Sequence, residues 1–143
     1  MKQVITEIEI SAPPEKVWAI LTNFNHWIEW NTTITKASGE TAINAQLNIT
    51  MSNEKGKDSN AYSPIITQLE APKRLRWQAK MMANFLFKNE KLVELEATET
   101  GTKMMHTEFF SGLMVKAFWG KMKDGVPLIM NKMNQDLKAA AEK

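Results

Sequence analysis

A strand-like run, MMHTEFFSG from Met104 to Gly112, passes directly into a helical stretch from Leu113 to Ala141. No other feature limits the fold as much. At ~1.5 Å per residue that helix would extend roughly 43 Å. A chain of 143 residues holds a helix of this length only if the rest of the molecule grips it. Val115, Phe118, Met122, Val126, Ile129, Met133, Leu137 and Ala140 recur at three- and four-residue spacing and predict one apolar face. Gly125 and Pro127 interrupt the stripe, and the missing proline donor predicts a kink there.

Upstream, the pattern has the period of strands. Val4, Thr6, Ile8 and Ile10 alternate with Glu7 and Glu9, which marks a half-buried strand. Ser11 is the expected cap of a short helix that has Pro13 and Pro14 at its start and Val17, Trp18, Ile20 and Leu21 on its buried side. A second short helix is expected to hold Phe24, Trp27, Ile28 and Trp30. Residues 33–39, 42–51 and 60–69 read as three strands, with a polar hairpin loop around Gly56. After Ala71-Pro72, Leu75, Trp77, Ala79 and Met81 alternate with basic and polar residues, and this expected strand runs towards Met82. Phe85 and Phe87 open the next, which carries Glu90, Glu94 and Glu96 on what reads as a solvated face. One antiparallel sheet curled around the terminal helix, with an apolar hollow between them, accounts for this order. No linker is long enough to divide the chain, so residues 1–143 are expected to form one domain.

Composition removes several functions. The net charge of +2, with basic and acidic residues intermixed, leaves no nucleic-acid footprint. With no cysteine and two distant histidines there is no metal-ligand spacing, and no phosphate-cradling glycine motif is present. No cofactor is therefore expected. The chain starts on a strand, and no run approaches the ~18 apolar residues of a membrane-spanning helix. A soluble cytoplasmic protein is the expectation, with oligomeric state left open.

The candidate chemistry is confined to the last strand. Met104, His106, Glu108 and Phe110 share one face. If that face points inward, His106 and Glu108 are polar groups about 7 Å apart along the strand beneath an apolar lid. Such a pair could orient a ligand oxygen or transfer a proton. It could equally be a histidine satisfied by its neighbours, holding strand to helix. Ten methionines add adaptable apolar surface, most of them in the last strands and the helix. Trp30, Trp77, Phe85, Phe87 and Phe118 offer flat walls for an aromatic guest. Phe110 and Met122 complete the expected lining.

The segment ISAPPEKVWAILTNFNHWIEWN (Ile10 to Asn31), HTEFFSG (His106 to Gly112) and MNKMNQDLKAAAE near the end, in this order, resemble the START-like superfamily, also called SRPBCC. The polyketide cyclase/dehydrase and lipid-transport subgroup is the most similar, and the resemblance covers essentially the whole chain. It implies an α+β helix-grip fold, a seven-stranded antiparallel sheet wrapped around the C-terminal helix and enclosing a cavity. It also implies a hydrophobic small molecule as partner, a lipid or an aromatic or polyketide-like metabolite. Members of the superfamily include carriers, aromatase/cyclase enzymes and co-chaperone modules. The leading expectation is therefore a binding protein. The alternatives are a cyclase or dehydratase using His106 and Glu108, and a protein-interaction module.

Overall fold

The computed structural model describes residues 1–81 and 85–143, with the backbone alone of Met81. Its elements follow in the order β1 (Lys2–Ile10), α1 (Pro14–Leu21), a 3₁₀ helix (Phe24–Glu29), β2 (Ile34–Ser38), β3 (Asn48–Ser52), β4 (Asp58–Tyr62), β5 (Ile65–Glu70), β6 (Arg74–Met81), β7 (Phe87–Thr98), β8 (Gly101–Ser111) and α2 (Leu113–Ala141). The expected α+β arrangement, antiparallel strands and a long C-terminal helix, is present. The single seven-stranded sheet is not. Among the described residues the strands form a five-stranded sheet, β1-β8-β7-β6-β5, and a three-stranded one, β2-β3-β4.

The division has a local cause. The expected strand over residues 60–69 is cut at Ser63-Pro64 into β4 and β5, which belong to different sheets. Proline cannot donate to a ladder, so a strand does not run through it. The two sheets are stitched beside that break. Asn44 and Leu47 donate backbone N–H groups to the carbonyls of Ile66 and Pro64 at 2.8 Å each, and Ile66 returns one to Ala45. Register breaks in the β2–β3, β3–β4 and β5–β6 pairs add twist. The curl expected of one sheet is thus made by two. The expected strand over 42–51 shrinks to β3, and the position of Met82 lies outside the described residues.

The N-terminal helix is not capped as expected. Pro13 holds the N-cap position without a side-chain hydrogen bond. The Ser11 amide instead donates to Glu142 Oε2 at 2.7 Å. Lys138 Nζ donates to the Glu9 carbonyl, and Lys16 Nζ to that of Lys143, so the end of α2 is fastened to β1 and α1. Val17 and Leu21 are fully buried, whereas Trp18 and Ile20 only pack against the core from its margin. In the next turn Phe24 and Trp27 are buried, and Ile28 faces solvent.

The stripe of α2 is rotated from the expected one. Val115, Met130, Met133, Asn134, Leu137 and Ala141 are its buried residues, while Leu113 and Phe118 are exposed. The helix runs through Pro127. Its first turn is anchored by backbone bonds from Leu113 and Met114 to the carbonyls of Phe85 and Leu86. Gly112 links β8 to it at φ +110°, a conformation that suits glycine.

Candidate functional site

Register builds one wall of the site. Trp77, Lys91 and Glu108 are direct cross-strand neighbours on β6, β7 and β8, forming a row across the inner face of the larger sheet. The row to one side holds Ala79, Asn89 and Phe110, and the row to the other holds Val93, His106 and Thr6. Opposite them stand the smaller sheet, through Ile34, Met51 and Tyr62, and the middle of α2, through Val126, Ile129, Met130 and Met133. Trp27, Asn31 and Thr33 close one end. A hollow of about 280 Å³ remains between these surfaces. Asn60, Ala61 and Ile129 line it and are exposed, so its mouth lies between β4 and the helix.

Of the residues singled out from sequence, Phe87, His106, Glu108 and Phe110 border this hollow. The others do not. Trp77 is fully buried in an aromatic cluster, with ring centroids 5.8 Å from Trp27 and 6.1 Å from Phe24. Trp30 is half-buried behind Trp27, edge-on to it at 5.5 Å. Phe85 sits in the turn before β7, 68% exposed, and Phe118 projects from the outer face of α2, 52% exposed. Met122 is half-buried outside the hollow. The rotation of the helix stripe explains the last two: the middle of α2, not its first half, lines the hollow.

His106 is 1% exposed, and both ring nitrogens are engaged. Its Nε2 lies 2.7 Å from Lys91 Nζ and its Nδ1 lies 2.8 Å from Asn134 Oδ1. An amine here donates, so Nε2 accepts and Nδ1 carries the hydrogen that goes to Asn134. Asn134 Nδ2 in turn donates to Thr6 Oγ1, which donates to the backbone carbonyl of His106. Burial, followed by the adjacent Lys91 charge, holds the imidazole pKa well below the ordinary histidine range, against the bond to Asn134. His106 is therefore neutral at neutral pH.

Lys91 was hidden among the charges of β7. Its side chain is 8% exposed, with Nζ 3.6 Å from Glu108 Oε2, 3.9 Å from Met133 Sδ and 5.6 Å from the Trp77 ring centroid. Burial lowers its pKa, and Glu108 opposes that shift. The other oxygen of Glu108 accepts from Asn89 Nδ2 at 3.2 Å. Across the hollow, burial and then the Glu108 charge push the Tyr62 phenol upward. Asn31 is 2% exposed, its Oδ1 accepting from the backbone and hydroxyl of Thr33. Its Nδ2 has no partner among the described residues. A buried donor left so stands ready for an acceptor.

The sequence did carry a signal for Lys91, which shares the parity of Val93 and Leu95 on β7. Asn134 likewise falls one turn from both Met130 and Leu137. Polar residues at apolar positions of a pattern were the sign of the site. Among the described residues, no group of three or more His, Cys, Asp or Glu side chains is placed to hold a metal. No helix among them is long and apolar enough to cross a membrane.

The model of one family, described as polyketide cyclase / dehydrase and lipid transport, matches residues 1–142. The chain belongs to that family. No curated protein sequence matches it. Solved structures similar to this polyketide cyclase/dehydrase and lipid-transport family member include a Mesorhizobium loti protein, with TM-score 0.71 and 24% identity over 96% of this chain and 98% of that one. An AHSA1-like protein from Aeromonas hydrophila has TM-score 0.74 and 17% identity over 99% and 96% of the two chains. The di-domain ARO/CYC protein StfQ of the steffimycin biosynthetic pathway has TM-score 0.79 at 10% identity, with 98% of this chain matching 50% of that one. At these identities the likeness is one of fold.

Proposed function

We propose that this family member binds a compact apolar small molecule in the hollow between its sheets and α2. The observation that carries the reading is an apolar hollow with a buried polar wall on one side and an unpartnered Asn31 amide at one end. A cavity of ~150 Å³ takes a benzene ring. At about 280 Å³, this one suits a guest of one or two fused rings, or a short branched chain, better than a two-tailed lipid. A ten-carbon guest gains on the order of 8 kcal/mol from burial. Association removes at least about 4 kcal/mol of it, so hydrocarbon alone binds at about millimolar Kd at best. Tighter binding requires an oxygen-bearing guest that uses Asn31 or Lys91.

The second reading, an enzyme with His106 as general base and Glu108 as its partner, draws on the same wall. The geometry favours it less. Nε2 is occupied by Lys91, Nδ1 by Asn134, and burial lowers the basicity of the ring. A histidine held in this way orients its neighbours better than it takes up protons.

Native mass spectrometry of the freshly purified protein, with displacement of an apolar naphthalene-type fluorescent probe, tests the binding reading. A co-purified guest, or saturable displacement by one- and two-ring compounds, is expected. Absence of both would overturn it.

A further inference from the structure

We propose that Lys91 is a carbonyl-capturing amine, holding aldehyde or ketone guests as a reversible imine inside the hollow. This rests on the reading of the hollow as a binding site. Among the described residues, Lys91 is the one lysine that lines it. Its Nζ is surrounded by His106 Nε2 at 2.7 Å, Glu108 Oε2 at 3.6 Å and the Trp77 ring. A lysine removed from water beside a proton acceptor has the setting in which amines become nucleophiles.

The alternative use of such a cation is to anchor a carboxylate, and the geometry argues against it. Glu108 already supplies the anion, and a second carboxylate beside it would place like charges together. A neutral carbonyl group brings no such conflict. Burial also moves the amine toward its neutral, attacking form.

The step balances without an oxidant or reductant. Lys91 gives a proton to Glu108 Oε2, 3.6 Å away, and the free amine attacks the carbonyl carbon. The N–C bond forms while the C–O π pair moves to oxygen. The proton held by Glu108 passes to that oxygen, giving a carbinolamine still protonated on nitrogen. A second proton, from nitrogen, leaves with the oxygen as water while the C=N bond forms. The proton that remains on nitrogen makes this a protonated imine. One ammonium and one carbonyl thus become one protonated imine and one water, with charge conserved. The product keeps the positive charge that Glu108 already faces. The tautomer fixed by Asn134 keeps the Nε2 lone pair pointed at Lys91 throughout.

Incubation with 2-naphthaldehyde and sodium cyanoborohydride, which reduces a protonated imine to a stable secondary amine, tests the proposal. Peptide mapping of the unmodified protein should place the first adduct on Lys91, at least about tenfold ahead of any other lysine. That is a modest demand beside the effective molarities of bound, oriented reactants. Lys91→Arg keeps the charge and donors but lacks the amine, and should lose that adduct. Labelling spread over exposed lysines, or an unchanged adduct in Lys91→Arg, overturns the proposal. 2-Methylnaphthalene, measured by quenching of tryptophan fluorescence, separates the two readings. If it binds while Lys91 stays unlabelled, the imine fails and the binding site stands. If neither compound engages the protein, both fail.

Discussion

Asn134 on α2 accepts a hydrogen bond from His106 Nδ1 on β8 across 2.8 Å, so the terminal helix is keyed to the sheet by a polar contact within an apolar seam. Helices slide and rotate along hydrophobic seams at small cost, because burial has no direction. A directional bond between two buried groups sets one rotation.

Replacing Asn134 by leucine should therefore destabilise the fold although it adds apolar surface. His106 Nδ1 would be left without an acceptor in the core, a loss of about 1–3 kcal/mol. Urea melts at constant m-value measure it. An unchanged midpoint would mean that the seam is fixed by packing alone.

His106 also sets a pH response. Its folded pKa is depressed below the ordinary histidine value of 6.5 by burial and by Lys91. Below that value the unfolded chain takes up a proton that the folded protein refuses. Stability is thus full above pH 6.5 and falls as the pH drops toward the folded pKa, by at most about 1.4 kcal/mol per pH unit for one proton. Melts between pH 6.5 and 5 should show this slope in the wild type and lose it in His106→Gln. A flat wild-type profile would place a charged imidazole in the fold.

Trp27 and Trp18 should differ sharply. Trp27 is 1% exposed, donates Nε1–H to the Leu21 carbonyl at 2.8 Å and touches both Phe24 and Trp77. Trp27→Ala should cost about 3–5 kcal/mol. Trp18, at the edge of the core, should cost less than half as much. Equal losses in chemical denaturation would contradict the observed phase of the first helix.

Gly112→Ala probes the junction between β8 and α2. A Cβ built there meets the backbone of Leu86, and φ +110° is hostile to an L side chain. Backbone strain of this kind costs on the order of 1–3 kcal/mol. The melting temperature should fall, whereas Gly125→Ala, which meets open space, should leave it unchanged or raise it.

Ala79→Phe tests the hollow without touching its polar wall. Ala79 lines it and is 6% exposed, so the added ring enters the empty volume. Probe affinity should drop at least about tenfold, or ~1.4 kcal/mol, with the melting temperature retained. Retained probe binding would place the probe elsewhere.

The terminal helix, β1 and the inward parity of β8 were legible because strong periodicity over many residues survives any tertiary context. The division into two sheets was not, since it turns on Pro64, which parts the short runs DSNAY and IITQLE. Phe118 was misassigned because a helix with apolar residues on more than one side does not declare which stripe is buried. Asn134, inside the true stripe, held that information. Lys91 and Glu108 meet through strand register, which no single strand encodes. Trp27 outranks Trp30 because the 3₁₀ helix buries its Phe24–Trp27 edge and leaves Trp30 half-buried at its end.

The pairing of β1 with β8 has a consequence in time. Thr6 and His106 are neighbours in space and 100 residues apart in the chain. At translation speeds of about 5–20 residues per second, β1 waits roughly 5–20 s for its partner. Until then the strand carrying His106 and Glu108 does not exist, and neither does the helix that covers the opening. A nascent chain has nothing to hold a guest with. On the binding reading proposed above, a guest enters only the finished protein, through the opening between β4 and α2.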